Sequence, residues 1–399
     1  MSSLPANRGA KWTLLPFALF LAVLPFPSTV ALRLLCLFAA ALIAAVIEWR
    51  NPGERPAIPC KPALILWISV CAASLAYSVL PAYSLGEFKN EIGYAMLAFL
   101  SFLVVARDRQ TVEYLLLALA AGFAVIGLWA AGAWLVNGYS WDQGGRYGGV
   151  AVFGTYLVTT APALFWLACA ASRPTLRRIG RGLLILAFLL ALMTLQRAVW
   201  PALAAEAAAV GAWCYRRGRF SRRGAMWAAL LGLLIVAAFV TASVWRSENR
   251  AVEADLAGDT RLPAWLGIAG KIAEHPVIGA GFGRGTMGRA YPDLIPQTNT
   301  MISHPHNVFL NYAIGMGIPG VLVLAGLFFC FGRVFWNLMR RRDETLALLG
   351  VCGVMLVVGV VVRNQFNDLF IRDMSLLYWA LAGIFFGQAS RISASSPSV

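Results

Sequence analysis

The chain has 399 residues, of which 60% are hydrophobic and only 13% charged. Soluble chains are about half apolar and about a quarter charged, so this composition excludes a soluble enzyme, a coiled coil and a disordered protein. A formal charge of +15, from 33 Lys and Arg against 18 Asp and Glu, would suggest a nucleic-acid partner in a soluble protein. In a chain this apolar it asks instead which side of a membrane carries the charge, and no nucleic acid is expected.

Apolar runs between charge clusters predict an all-α polytopic protein of twelve spans. The first six are Trp12–Phe26, Thr29–Ile47, Ala63–Leu80, Gly93–Ala106, Tyr114–Val136 and Val150–Ala171. The others are Gly182–Leu195, Val199–Tyr215, Ala225–Val244, Pro319–Leu338, Thr345–Val362 and Phe370–Gly387. Several exceed the ~18 apolar residues that span a bilayer as helix. No small-residue cleavage site follows the first run cleanly, so it reads as a helix and not as a removed signal peptide. The expected organisation is nine helices over residues 1–244, a loop over 245–318, three helices over 319–388 and a Ser-rich disordered tail over 389–399.

Lys and Arg set orientation. With the N-terminus inside, segments on that side hold 21 Lys and Arg and 6 Asp and Glu, while the opposite side holds 11 of each. The whole excess then lies on one face, which predicts cytoplasmic termini. None of the seven Cys falls in an outer segment, and none forms a C-x-x-C pair, so neither a disulfide framework nor a Cys metal site is expected.

The one long connection, Trp245 to about Ile318, carries Trp, Phe and Tyr and a helical stretch near Leu262–Glu274, with Pro263 suited to its first turn. It is expected to be ordered on the outer surface. All three His lie in it: His275, His304 and His306. His306 and Asn307 open an apolar helix after Pro305. A neutral imidazole there can take a proton near pH 7, or it can simply bond backbone at the helix start. His275, before Pro276, reads as a turn residue. His304 is expected to point elsewhere than His306.

Positive charge on the outer side is the second feature. Arg197 stands in a minimal turn between two spans, where it either serves a site or snorkels to headgroups. Arg261, Arg284 and Arg289 lie in the long loop, Arg146 in Gly144–Gly149, and Lys89 in the second outer loop. Arg forks bind phosphate oxygens bidentately and Lys binds them as a point charge, so several together can hold a diphosphate. The Gly runs 144–149 and 279–285 either cradle phosphate or make tight turns. Glu253 and Asp255 superficially suit a hard cation, but nothing nearby completes such a site, and no metal or other cofactor is expected. Asp368 and Asp373 stand beside Arg363 and Arg372, and either pair with them or support the site.

Arg197-Ala-Val-Trp, Arg261-Leu-Pro-Ala-Trp, His275-Pro-Val-Ile-Gly-Ala-Gly-Phe-Gly283 and His306-Asn-Val-Phe-Leu, with Gly317 and Gly320 following, come in the order seen in the O-antigen ligase and polymerase superfamily. The chain resembles that superfamily, and its closing stretch Asn364–Trp379 resembles the ligase branch. The resemblance implies a metal-independent, inverting glycosyltransferase of the GT-C type in a bacterial inner membrane. Its donor would be undecaprenyl-diphosphate-linked O-antigen, and its acceptor the lipid A–core oligosaccharide at the periplasmic face. It implies His306 as the catalytic histidine, Arg197 and Arg261 as diphosphate-binding residues, and looser matches at Lys89 and Asp368. Gln196 stands where the family usually has Ser. Arg284 joins the diphosphate group, with Arg146 and Asn307 as support.

Three rivals stay open. An O-antigen polymerase usually has two large outer loops, and this chain has one. A protein O-oligosaccharyltransferase typically adds a soluble domain. A lipid-glycan flippase would be expected to place ionisable residues at the midplane, where only Glu206 is expected, with Arg33 near a span end.

Overall fold

The computed structural model describes residues 12–137, 141, 149–194, 196–219, 261–295 and 304–395, with scattered positions between 221 and 241. The ninth expected span, Ala225–Val244, and residues 245–260 and 296–303 of the long loop fall mostly or wholly outside these. Every regular element among the described residues is helical. We number the α-helices α1 (Leu15–Val23), α2 (Val30–Arg50), α3 (Lys61–Ala73), α4 (Pro81–Phe88), α5 (Tyr94–Val105), α6 (Arg109–Val136) and α7 (Val150–Ala170). Then come α8 (Pro174–Thr194), α9 (Val199–Arg216), α10 (Arg261–Glu274), α11 (Gly285–Ala290), α12 (Val308–Met339), α13 (Glu344–Arg363) and α14 (Arg372–Ser395).

Among the described residues, six helical stretches are long and apolar enough to cross a membrane: Pro27–Arg50, Pro81–Val105, Arg109–Val136, Val150–Ala170, Val308–Met339 and Glu344–Arg363. Their outward faces are apolar too. On α2, Leu35, Phe38 and Leu42 are exposed along one stripe while Cys36, Leu37, Ala40 and Ala44 are buried, as expected where lipid replaces water around the bundle. The chain is an all-α, multi-pass membrane protein.

Local signals start the helices as the sequence implies. Asp108 caps α6 by accepting from the Thr111 amide at 2.9 Å, and Asp343 caps α13 by accepting from the Leu346 amide at 2.8 Å. Polar contacts between helices then fall at two ends of the bundle. At one, Arg107 and Arg391 meet Glu54, Arg109 donates to the Ala170 carbonyl, and Arg219 pairs with Glu344 at 3.0 Å. At the other, Arg33 pairs with Asp373, the Val79 amide donates to Ala280, and Arg363 donates to Gln196 Oε1 at 3.4 Å. Helices α7, α9 and α12 run from the second of these ends to the first, and α13 runs back.

The core is aromatic and closely approached. Phe335 stacks on Phe386 with centroids 4.0 Å apart, and Trp67 stacks on Trp379 at 5.4 Å. Gly383 and Gly387 of α14, spaced G-x-x-x-G, lie against α5 so closely that a Cβ on either would come within 2.5 Å of the Phe99 or Leu103 carbonyl oxygen. Small residues at four-residue spacing let two helix backbones pack directly.

Three expectations need correction. Lys89 does not lie in a loop: α4 runs into α5 through a π-helical turn at Lys89–Gly93, so the fourth helical stretch begins at Pro81 and not near Gly93. The tail expected to be disordered from 389 is helical through Ser395, because Arg391 is held at Glu54. Asp368 and Asp373 do not pair with Arg363 and Arg372; Asp373 reaches across to buried Arg33 instead.

Close helix contact makes a stability prediction. A Cβ on Gly350 of α13 would meet the Met339 backbone, while Gly326 of α12 has open space around it. Gly350→Leu should destabilise the protein by roughly 1–3 kcal/mol through overpacking and lower the thermal midpoint in detergent. Gly326→Leu should leave that midpoint unchanged or raise it.

Candidate functional site

The beginning of α12 is the centre of the site. Asn307 has extended backbone (φ −149°, ψ 123°) and caps the helix. Its Oδ1 accepts from the Phe309 and Leu310 amides at 2.9 and 3.1 Å, satisfying donors that the first turn leaves without intrahelical partners. Its Nδ2 donates to the Gln365 backbone oxygen at 3.0 Å, and the Val308 amide donates to Asn364 O at 3.0 Å. Asn307 therefore supports the site as a clamp between α12 and the end of α13.

The residue before it, His306, has a left-handed backbone with φ +53°, uncommon for a side chain of this size. That reversal follows Pro305 and folds the loop on itself. His304 consequently does not point elsewhere: its ring lies 4.0 Å, centroid to centroid, from the His306 ring. Burial, then His306, then the Arg284 guanidinium push His304 down to about 3, so it stays neutral near pH 7. Arg284 Nη1 stands 3.5 Å from His304 Nε2 and donates to the Asp368 backbone oxygen at 3.0 Å. The Asp368 carboxyl is buried, and both of its oxygens lack a hydrogen-bond partner among the described residues. That burial raises it to about 6, with Arg284 pulling the other way.

The long loop docks on this end through its helices. Trp265 Nε1 donates to the Pro305 carbonyl at 2.7 Å, which fixes α10 beside the histidines, with Arg261 opening that helix one turn earlier. Ile268, Ile314 and Met287 form a small separate core joining α10, α11 and α12. The segment 276–283 lies between α12 and the α3–α4 connection. Ala280 and Gly281 donate to the carbonyls of Ile314 and Gly315 at 2.9 and 2.7 Å. Gly281 (φ +102°) and Gly317 (φ +69°, where α12 is kinked) have conformations and neighbours that leave no room for a Cβ. Close backbone approach therefore explains the Gly run at 279–283, in preference to a phosphate cradle.

Arg197 lies in the α8–α9 turn, exposed. The preceding Gln196 accepts from Arg363, the last residue of α13, and the next two residues, Asn364 and Gln365, hold Val308 and Asn307. Gln196 thus works as the acceptor that anchors this turn. Lys89 is exposed with its ammonium 6.0 Å from the Tyr94 ring centroid, and none of its described contacts is with the histidine–Arg284 group. Arg146, Glu253 and Asp255 lie outside the described residues.

Two residues that sequence reasoning missed belong to this neighbourhood. Glu87 and Glu91 are buried, and Glu91 lies within electrostatic reach of Asp368, Glu87 and Arg284. Their i, i+4 spacing in an apolar stretch was the available signal, visible only once residues 81–93 are known to be helical.

Acid stability tests the His304 environment. A His depressed below its unfolded value is neutral when folded, so its contribution is complete above about pH 6.5 and is lost as pH falls toward 3. In that window the wild type should lose roughly 1.4 kcal/mol per pH unit through this group. Asp368, raised from 3.8 to about 6, has the opposite slope in both proteins. His304→Gln should flatten the acid-side loss of unfolding midpoint relative to wild type; parallel curves would refute the buried neutral imidazole.

A family model described as O-antigen ligase matches residues 182–325. No curated protein matches the chain. The matched segment runs from α8 to the middle of α12 and contains Arg197, Arg261, Arg284, His304, His306 and Asn307, while Arg363, Gln365 and Asp368 lie beyond it; over residues 182–325 the chain is similar to the O-antigen ligase family.

Proposed function

We propose that the protein is a membrane glycosyltransferase that moves O-antigen from undecaprenyl diphosphate to a sugar hydroxyl of the lipid A–core oligosaccharide. The reaction takes place at the periplasmic face of the inner membrane, with both termini cytoplasmic, twelve spans and no cofactor or metal. The observation that carries this reading is the convergence on the end of α13 of the His306 loop and the Arg197 turn, together with α10 docked on Pro305, within the family-matched segment. The orientation rests on the +15 balance of the segments at the opposite end.

In this reading His306 takes the proton of the acceptor hydroxyl as its oxygen bonds to the anomeric carbon. The bond from that carbon to the diphosphate oxygen breaks, and attack from the opposite face inverts the centre. With His304 held neutral, His306 is the imidazole left to carry the proton. Arg197, Arg261 and Arg284 stabilise the charge that develops on the departing diphosphate, and Lys89 contributes at longer range. The donor's own activated linkage drives the transfer.

Deleting the gene and analysing the lipopolysaccharide tests the reaction: lipid-linked polymer beside unsubstituted core is expected. Core bearing single repeat units would mean that the protein polymerises instead. His306→Ala should cut transfer ~10²–10⁴-fold by removing the base while donor binding persists. His304→Ala should lose less; an inactive His304→Ala beside an active His306→Ala would reverse the assignment.

The fork of Arg197 provides a second test. Arg197→Lys keeps the charge and loses the bidentate geometry, so it should restore little of the transfer lost in Arg197→Ala, with both variants inserting and purifying normally. Near-normal transfer by Arg197→Ala would remove it from the site.

A further inference from the structure

At the end of the bundle opposite His306 the helices line an open pocket of about 580 Å³ whose charged lining is Arg109, Arg181, Arg219 and Glu344. Three cations face one anion. Glu344 is already engaged, with Arg219 at 3.0 Å and with Arg217 at 3.5 Å. Arg219 lies over the Trp213 ring at 4.9 Å, and Arg109 donates to the Ala170 carbonyl. Arg181 has no ion pair or side-chain hydrogen bond among the described residues. Apart from Thr345, the rest of the lining is largely apolar and includes Phe165, Leu184, Trp213 and Leu348, from α7, α8, α9 and α13.

Guanidinium groups converging from three segments match the oxygens of a phosphate, each fork offering parallel donors. The apolar wall makes a free ion a poor fit for the remainder of the space, since it leaves Phe165 and Leu184 facing water. A molecule with an anionic phosphate at one end and hydrocarbon at the other fills both parts. Basic pockets between membrane helices take anionic headgroups in this way. We propose that this pocket binds the phosphate of an anionic membrane phospholipid, at the opposite end of the bundle from the transfer site, and thereby ties α6, α8, α9 and α13 together.

Cys169 lines the pocket and is exposed, which provides a local readout. The full-length protein, delipidated in detergent, is treated with N-ethylmaleimide, and labelling of Cys169 is followed by site-resolved mass spectrometry. The treatment is repeated with dioleoylphosphatidylglycerol, with dioleoylphosphatidylcholine and with inorganic phosphate. Phosphatidylglycerol should protect Cys169 saturably, and the other two should not protect it at matched concentration. Arg181→Gln, which gives up no described contact of the fold, should raise the concentration for half-protection about tenfold, as expected for one lost charge-assisted contact. Arg181→Glu should raise it further. Equal protection by phosphatidylcholine would mean that hydrocarbon alone occupies the cleft. Protection by inorganic phosphate alone would make it a soluble-anion site. Unchanged protection in Arg181→Gln would mean that the arginines do not read the headgroup. Each of these three results overturns the proposal.

Discussion

The junction of α12 with the end of α13 is the constraint on which the site depends. A helix that begins inside a bundle cannot leave its first amides to water, and Asn307 resolves this by capping α12 and donating to Gln365 in the same stroke. The neighbouring Val308 amide uses Asn364, and Arg363 holds Gln196. Three consecutive residues of one helix end thus fix two remote segments, one bearing His306 and one bearing Arg197. Geometry of this kind positions side chains on rigid elements, although the residues themselves stand in loops. The left-handed backbone at His306 fits the same picture: the clamp on one side and the Trp265 contact to Pro305 on the other over-determine a conformation that an isolated loop would avoid.

The electrostatics of the site separate into two kinds of burial. His304 is kept neutral by desolvation and by nearby positive charge. Asp368 is held near neutral pH by desolvation, with Arg284 opposing. Arg284 touches both neighbourhoods while spending its hydrogen bond on a backbone carbonyl, so its charge is not cancelled by a carboxylate at contact distance. A cation retained in this state suits a site whose proposed substrate arrives with its own negative charge.

Much of this was legible in the chain because helix periodicity and basic loops are local properties. The starts of α7 and α9 fall where the apolar runs begin, and the helix of the long loop begins one residue from its expected start at Leu262. The histidine, the arginines and the family resemblance are likewise written in short stretches. What escaped was long-range. No local rule brings Gln196 to Arg363, or Arg33 to Asp373. Residues 81–93 read as a loop because Glu87, Lys89 and Glu91 dilute the apolar pattern, yet the two carboxylates turn inward and the helix continues. His304 was misplaced because nothing local in the sequence shows the left-handed backbone of His306, with which the two rings come together. The Gly run at 279–283 fitted either a phosphate cradle or close packing, and only the carbonyls of Ile314 and Gly315 decide between them.

The glycine pair of α14 bears on how the molecule assembles. Gly383 and Gly387 press against Phe99 and Leu103, and Trp379 and Phe386 complete the aromatic centre that Phe99 and Phe331 begin. More than half of the chain separates these partners, so during synthesis α5 enters the bilayer long before α14 exists. Until then the face of α5 that will receive the glycines is open to lipid, and the centre of the bundle has a vacancy of helix width. Closure is therefore a late, post-insertion event that joins early and late parts of the sequence. A polypeptide halted before α14 would carry the whole matched segment and every histidine, and still lack the wall against which the rest is braced.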